Sequence, residues 1–420
     1  MSDRFLTRLL RRIGWATEPL LNPDAAARRS REAATKRSVD RLEVAVRRLD
    51  TQVDRVTDRL EKLDRRQIEH LEAAVATLRW STRRQIAFSD RLLRASNQHS
   101  EREFVRERAL RRLRRLDRSR TILVGPWTGE VGFELLYWVP FVRWAVDQLG
   151  VDPSQLIIMS RGNTASWYGL PGARYIDVLE RRSASELRSH MAEAKKQRTL
   201  RVFDRRLIRE VAAEVGGRVG VLHPALMYAL YMPYWKQVTS LRWVEQFASF
   251  ARISPPSVSG LALPSEYVAV RFYFSDCFPD TPSNRALVEE VVKAVSRERN
   301  VVILSSGARV DDHRDAAVLP GSSGRVYTLD HLTRPETNLA LQTAVIAGAS
   351  AFIGTYGGFS YLAPLCGVNT VALYSIGNYY SHHLDFAQHV LAEVQGGSLT
   401  VIDAAMRDLV GEIARSDAFQ

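Results

Sequence analysis

The residues of this chain best suited to chemistry gather in two glycine-punctuated stretches and at a few strand ends. "VGPWTGEVGFELLYWVPF", residues 124–141, sets Glu130 between Gly129 and Gly132, with a second carboxylate, Glu134, one helical turn on. A carboxylate in such a loop can take a proton from a hydroxyl group. Beside apolar Trp127 and Phe133, desolvation would raise Glu130 toward the range of a general base. Glu134 is the second candidate, and a plain helix N-terminal charge is the structural alternative for Glu130. "FIGTYGGFSYLAPLCGVNTVALYS", residues 352–375, reads as a β-run, a turn holding Thr355, Tyr356, Gly357, Gly358 and Ser360, a short apolar helix and another β-run. Glycine lets a backbone approach another molecule closely, and a helix N-terminus offers N–H groups to an anion. Such a turn can wrap a diphosphate, the hydroxyls adding donors. A tight turn with ordinary caps is the alternative.

Other candidates sit where β-runs end. Arg271 closes "YVAVR", where a lone guanidinium is costly unless paired; a phosphate could pair it, or Asp276 or Asp280. "NVVILSSGAR" ends on Ser305, Ser306, Gly307 and Arg309, candidates for nucleotide contact with a solvated loop as the alternative, while Asn338 and Gln342, spaced i, i+4 on an otherwise apolar helix, either face the nucleotide or bond locally. Arg161 and His223 follow two earlier β-runs and could line an acceptor site. His382 and His383, in "NYYSHHLDF", read as surface histidines within reach of a sugar. Asp311, Asp312 and His313 are adjacent, and three adjacent side chains cannot easily converge on one ion, so no metal is assigned. No Walker loop and no G-x-G-x-x-G is present, which argues against an ATPase or a dinucleotide enzyme.

The elements that must position these residues alternate between short β-runs and amphipathic helices after residue 120, the pattern of parallel α/β structure. "TILVG", "QLIIMSR" and "GRVGVLHP" are the strands of a first domain, residues 119–252; 179–215 is charged and helical. "RISPPSVSGLALPSE" is a linker. A second series over 264–420 has strands "YVAVRFYF", "NVVILSSG", "RVYTLD", "AFIGT" and "TVALYS", and ends in a helix, "AAMRDLVGEIAR". The fold class is therefore α/β: two Rossmann-like domains facing a cleft, with ligands at the carboxyl ends of the strands.

The first 120 residues are different. They hold 31 Lys+Arg against 18 Asp+Glu, so the whole net charge of +12 lies there, and they contain five of the 37 aromatic residues. Residues 1–35 form a basic amphipathic segment, with Phe5, Leu6, Leu9, Leu10 and Ile13 opposite Arg4, Arg8, Arg11 and Arg12, a pattern suited to an anionic membrane surface. Residues 36–118 read as a coiled coil through the seam Val39, Leu42, Val46, Leu49, Val53, Val56, Leu60 and Leu63, resuming at Ile68. Its β-branched and leucine mixture suits self-association as a dimer or trimer. Nucleic acid is set aside because acidic residues interrupt the basic run and no aromatic platform accompanies it. Two cysteines give no disulfide framework and no apolar run is long enough to span a bilayer, so the expected location is the cytoplasm, peripheral on the inner face of the membrane.

Over residues 121–400 the sequence resembles glycosyltransferases of the GT-B superfamily, most closely the bacterial surface-polysaccharide transferases of heptosyltransferase-like and O-fucosyltransferase-like type. The resemblance is carried by "ETNLALQTAVIAGASAFIGTYGGFSYLAPLCGVNTVALYS" and by "VGPWTGEVGFELLYWVPF". It implies that the first of these holds the diphosphate of a nucleotide-sugar co-substrate. It also implies that the second carries the base facing the acceptor, a glycan or a lipid-linked sugar, and that no metal or other cofactor is needed. "VAVRFYFSD" offers Arg271 but no histidine, and "GTYGG" stands where heptosyltransferase-like chains have Asp–Gly, so the donor sugar stays open. A sugar-nucleotide epimerase and a coiled-coil scaffold with a non-catalytic nucleotide-sugar module are the competing readings.

Overall fold

The structure is a computed structural model that describes residues 23–60, 65–116, 120–193, 196–304, 314–316, 325–377 and 381–406. It divides into two compact units, Met1–Glu103 and Phe104–Gln420. Among the described residues the first holds helix α1, Pro23–Leu60, and most of helix α2, Arg65–Arg114. Arg79 of α2 lies 3.5 Å from Asp54 of α1. The end of α2 belongs to the second unit, burying Ala109 and Leu113 in its core.

The second unit is built on two parallel sheets, as expected. In the first, β1 (Ile122–Val124), β2 (Leu156–Ser160), β3 (Arg174–Asp177) and β4 (Gly220–Leu222) run in the order β3-β2-β1-β4, all parallel. In the second, β5 (Val268–Arg271), β7 (Val301–Ile303), β9 (Val326–Thr328), β10 (Ala351–Thr355), β11 (Thr370–Tyr374) and β12 (Leu399–Asp403) run in the order β12-β11-β10-β5-β7-β9, again all parallel. A short antiparallel pair, β6 (Tyr273–Phe274) with β8 (Arg314–Asp315), stands apart. The central strands are buried on both faces, which is why "LIIMS" and "AFIGT" read as continuous apolar or small-residue runs.

Helix α3 follows β1 and contains Val131–Phe133, a π-helical turn Glu134–Trp138, and Val139–Leu149. Helices α4 (Ala184–Glu193) and α5 (Val202–Val215) cover the outer face of the first sheet, with Leu187, Leu207 and Val211 packed on Leu123 and Ile157. Helix α6, Pro224–Trp235, follows β4, and α7, Pro282–Ser296, packs Leu287, Val291 and Val295 behind the second sheet. Helices α8 (Asn338–Ala347), α9 (Gly358–Leu365) and α10 (Ser381–Glu393) each touch the first half. The largest core cluster joins the halves, combining Trp127, Trp138, Phe141 and Tyr231 with Phe352, Leu362 and Phe386. Phe386 of α10 stacks on Tyr137 of α3 with ring centres 4.7 Å apart. Burying an aromatic or large aliphatic side chain contributes about 1.5–3 kcal/mol, so this cluster is the main bond between the halves.

Candidate functional site

The two glycine stretches meet. A Cβ added at Gly358 would lie 2.9 Å from both the Gly132 nitrogen and the Val131 Cβ, and one at Gly132 would lie 3.2 Å from the Tyr361 ring. The turn after β10 therefore touches the turn after β1, carboxyl end to carboxyl end, with only glycine small enough at the contact. Gly357 has φ +156°, and a Cβ there would strike the Tyr273 hydroxyl. Gly358→Ala should destabilise the second unit by about 1–3 kcal/mol through overpacking. Gly217→Ala, with nothing within 4 Å, is the control, and equal urea midpoints for the two would contradict the contact.

The hydroxyls of this turn are used to build it. Thr355 Oγ1 accepts from the Tyr273 N–H at 3.0 Å and donates to the Tyr273 carbonyl at 2.9 Å. Ser360 Oγ accepts from the Gly357 N–H at 3.0 Å and donates to its carbonyl at 2.7 Å, while the Tyr361 hydroxyl donates to Tyr356 at 2.8 Å. Thr355 and Ser360 are fully buried, and in this structure their hydroxyls, expected as ligand donors, hold the turn's shape.

Glu130 stands at the N-terminus of α3 with its side chain 41% exposed. The apolar setting expected for it is not what surrounds it. Trp127 turns inward to stack between Trp138 and Tyr228, and Phe133 is covered by the Lys196 ammonium, 3.2 Å from its ring centre. That ammonium also lies 3.2 Å from Glu130 Oε1. Next to it, Gln197 clamps the loop, accepting from the Thr128 N–H and donating to the Pro126 carbonyl, both at 2.9 Å. Across this opening His383 of α10 packs edge-on to Phe133 at 5.1 Å and pairs its Nδ1 with the Tyr137 hydroxyl at 2.6 Å. Burial, with His382 and Lys196 adding to it, pushes the His383 imidazole down to about 3. His383 is thus a neutral, half-buried ring at the meeting of the halves, where a surface histidine was expected.

The apolar enclosure falls to Glu134 instead. Its carboxylate is completely buried, and Oε1 accepts from Ser160 at 2.6 Å, Tyr168 at 2.8 Å and Thr164 at 3.3 Å. Among the described residues Oε2 has no hydrogen-bond partner, and it faces Arg161 Nη1, also without one, at 3.8 Å. Burial raises its pKa despite Arg161 and these hydroxyls. The π-helical turn beginning at Glu134 is what swings this carboxylate under the end of β2. Arg161 is only 3% exposed and serves this buried pair; it does not line an open acceptor surface.

The hydroxyls continue from Glu134 to a second carboxyl. Thr164 Oγ1 lies 3.3 Å from the Tyr175 hydroxyl, which donates to Asp177 Oδ2 at 3.3 Å. Asp177, at the end of β3, also accepts the N–H groups of Asn163 at 2.7 Å and Leu179 at 2.8 Å. Burial raises its carboxyl to about 7, against those two N–H groups. The folded form therefore keeps a proton that the unfolded chain releases near pH 4. This group's stabilisation is complete below about pH 4 and is lost as pH rises to about 7, by at most about 1.4 kcal/mol per pH unit. Asp177→Asn should flatten that part of the urea-midpoint profile; an unchanged slope would contradict the assignment.

On the other half, three expected residues converge. Arg271 donates through Nη1 to Gln342 Oε1 and, at 3.2 Å, to the Leu304 carbonyl; Gln342 Nε2 donates to Asn338 Oδ1. Arg271 Nη2 pairs with Asp315 at 3.1 Å rather than with Asp276 or Asp280, since β8 folds back beside β6 and brings Asp315 there. Its guanidinium lies 4.0 Å over the Phe359 ring in the first turn of α9, and among the described residues its Nε has no hydrogen-bond partner. The N-terminal turn of α8 is fastened to the first half, the Ala340 N–H donating to the Gly162 carbonyl at 2.8 Å and Trp167 Nε1 to Thr343 at 2.9 Å.

His223 does not line this region. It caps α6, its Nδ1 accepting from the Ala225 N–H at 3.1 Å, and its Nε2 faces Asp204 at 3.4 Å, with His190 on the other side at 3.5 Å. Ser305, Ser306, Gly307 and Arg309, like Asp311, Asp312 and His313, lie outside the described residues. Among the described residues no group of three or more His, Cys, Asp or Glu side chains could hold a metal ion, and no helix is long and apolar enough to cross a membrane. Lys196, Gln197, Asp177, Asp315 and Phe359 were absent from the sequence expectations. For Lys196 and Gln197 the signal was the polar break between two helical runs.

No family model and no curated protein matches the chain. Among solved structures it is similar to the iron-containing dodecameric glycosyltransferase TibC of enterotoxigenic E. coli H10407, at 14% identity and TM-score 0.33, over 61% of this chain and 58% of that one. The chain thus spans little more than half of TibC, which has also been solved in complex with ADP-D-beta-D-heptose. It is similar to the E. coli ADP-heptose LPS heptosyltransferase II at 14% identity and TM-score 0.36, over 66% of this chain and 97% of that one. A UDP-N-acetylglucosamine 2-epimerase from Listeria monocytogenes, so described as putative, is similar at 11% identity and TM-score 0.29, over 72% and 98%. These are likenesses only, and the two-sheet architecture rests on the strand pairing described above.

Proposed function

We propose that this chain is a GT-B-type glycosyltransferase, moving a sugar from a nucleotide-sugar to a glycan or lipid-linked acceptor in cell-surface polysaccharide synthesis. The observation that carries this reading is the contact of Gly132 with Gly358. It sets the Glu130 loop of one parallel sheet against the helix N-terminus of the other. Glu130 would take the proton of the acceptor hydroxyl as that oxygen bonds to the anomeric carbon. The bond to the diphosphate oxygen breaks, and its electrons leave with the nucleoside diphosphate. Charge on that leaving group is favoured by the N–H groups opening α9 and by Arg271, whose Nε has no hydrogen-bond partner among the described residues. Glu134 and Arg161 hold α3 against β2 and so position the Glu130 loop. In this reading the chain works in the cytoplasm, peripheral on the membrane through residues 1–35, which for the most part lie outside the described residues.

The test is nucleotide release from nucleotide-sugars by the full chain, with and without a glycan or lipid-linked acceptor. Acceptor-dependent release supports transfer. Conversion of the donor without acceptor would indicate an epimerase, and no turnover with retained nucleotide binding would indicate the scaffold. Arg271→Ala should weaken nucleotide binding roughly ten- to hundred-fold, the loss of a charge-assisted bond. Titration of both proteins with the same nucleotide checks this, and equal affinities would remove Arg271 from the site.

A further inference from the structure

We infer that the arm joins two copies of this chain as a parallel, two-stranded coiled coil through the face Val39, Leu42, Val46, Leu49, Val53 and Val56 of α1. Among the described residues this face stays partly open: Val39 is 37%, Leu49 44% and Val56 42% exposed, and the other three are half-buried. Among the described residues, Arg79 of α2 pairs with Asp54 of α1, a position outside the seam. β-branched Val39, Val46 and Val53 occupy the a positions, and Leu42 and Leu49 two of the d positions, the combination that favours two parallel strands.

The flanking residues choose the partner and its direction. Glu43, Asp50 and Thr57 occupy e, while Ser38, Ala45 and Gln52 occupy g. Parallel strands set g against the partner's e, giving Ser38 with Glu43, Ala45 with Asp50 and Gln52 with Thr57, with no like charges opposed. Antiparallel strands would set e against e and bring acidic side chains together. A second copy in the same direction is therefore the occupant this surface fits, whatever reaction the second unit performs.

Sedimentation equilibrium of the full chain at micromolar concentrations should give twice the monomer mass. Leu42→Glu with Leu49→Glu should return it to one chain, whereas Val44→Glu, which changes an equally exposed apolar residue off the seam, should leave the dimer intact. Circular dichroism checks that both variants stay folded. Val46→Cys should form a cross-link between copies on mild oxidation, since a faces a in the parallel arrangement; the parent chain, with its two cysteines in the second unit, is the control. A monomeric parent, a trimer or tetramer, a dimer that survives the seam substitutions, or a Val46→Cys variant that fails to cross-link would each overturn the assignment.

Discussion

Glu130→Gln is expected to lower turnover by about a hundred- to ten-thousand-fold, the usual contribution of a positioned general base. The loss should appear in kcat, because an amide of the same shape keeps the loop's contacts but cannot take the acceptor's proton. Stability should barely change. The ion pair with Lys196 is half-exposed, and pairs of that kind contribute at most about 1 kcal/mol. Steady-state nucleotide release by the two proteins, with thermal midpoints in parallel, separates chemistry from folding. Unchanged turnover in the glutamine variant would remove Glu130 as base. If Glu134→Gln alone abolished turnover in a stable protein, Glu134 would take that role.

Glu134→Ala should have the largest effect on stability, about 3–5 kcal/mol, because it strands the Arg161 guanidinium in the interior without its countercharge. The hydroxyls of Ser160, Thr164 and Tyr168 lose their common acceptor in the same step. Changing both residues, Glu134→Leu with Arg161→Leu, should recover part of the loss, since neither charge then remains buried alone. Urea unfolding followed through the buried indoles of Trp127, Trp138 and Trp167 reads this directly. A double variant no more stable than Glu134→Ala would mean that the pair is not the cause.

The sequence revealed the fold best where burial imposes a simple pattern. "TILVG", "QLIIMSR", "AFIGT" and "TVALYS" are short apolar runs because strands in a parallel sheet are covered on both faces, and each is a strand. "RYID", which became β3, was not seen: its first two residues lie at the sheet's edge and its last is the buried Asp177. Helix α6, "PALMYALYMPYW", is apolar on nearly every side because it is packed between neighbours, so it lacks the one-faced stripe that announces a surface helix. "LTVID", which forms β12, was passed over for a helix beginning at residue 404, most of which lies outside the described residues.

At the site, single-stranded motifs were legible and pairings between distant segments were not. The strand-end position of Arg271 and the i, i+4 spacing of Asn338 and Gln342 were readable, and the structure joins them in one network. Asp315, 44 residues from Arg271, could be matched to it only once β8 had folded beside β6. Trp127 and Phe133 suggested an apolar setting for Glu130, but Lys196 arrives from a loop 66 residues away and supplies a countercharge. Local spacing carries no information about such visitors. The glycines were read as room for a ligand, and in the structure they are also room for each other.

The most direct test of the account is the thermal stability of the full chain against UDP, GDP, ADP, CMP and dTDP. A nucleotide present at a hundred times its dissociation constant should stabilise the second unit by about 2.7 kcal/mol, a visible shift in its unfolding. One nucleotide class raising that transition, with the shift lost in Arg271→Ala, is the predicted result. No shift with any of the five would contradict a nucleotide-sugar site between the two glycine turns.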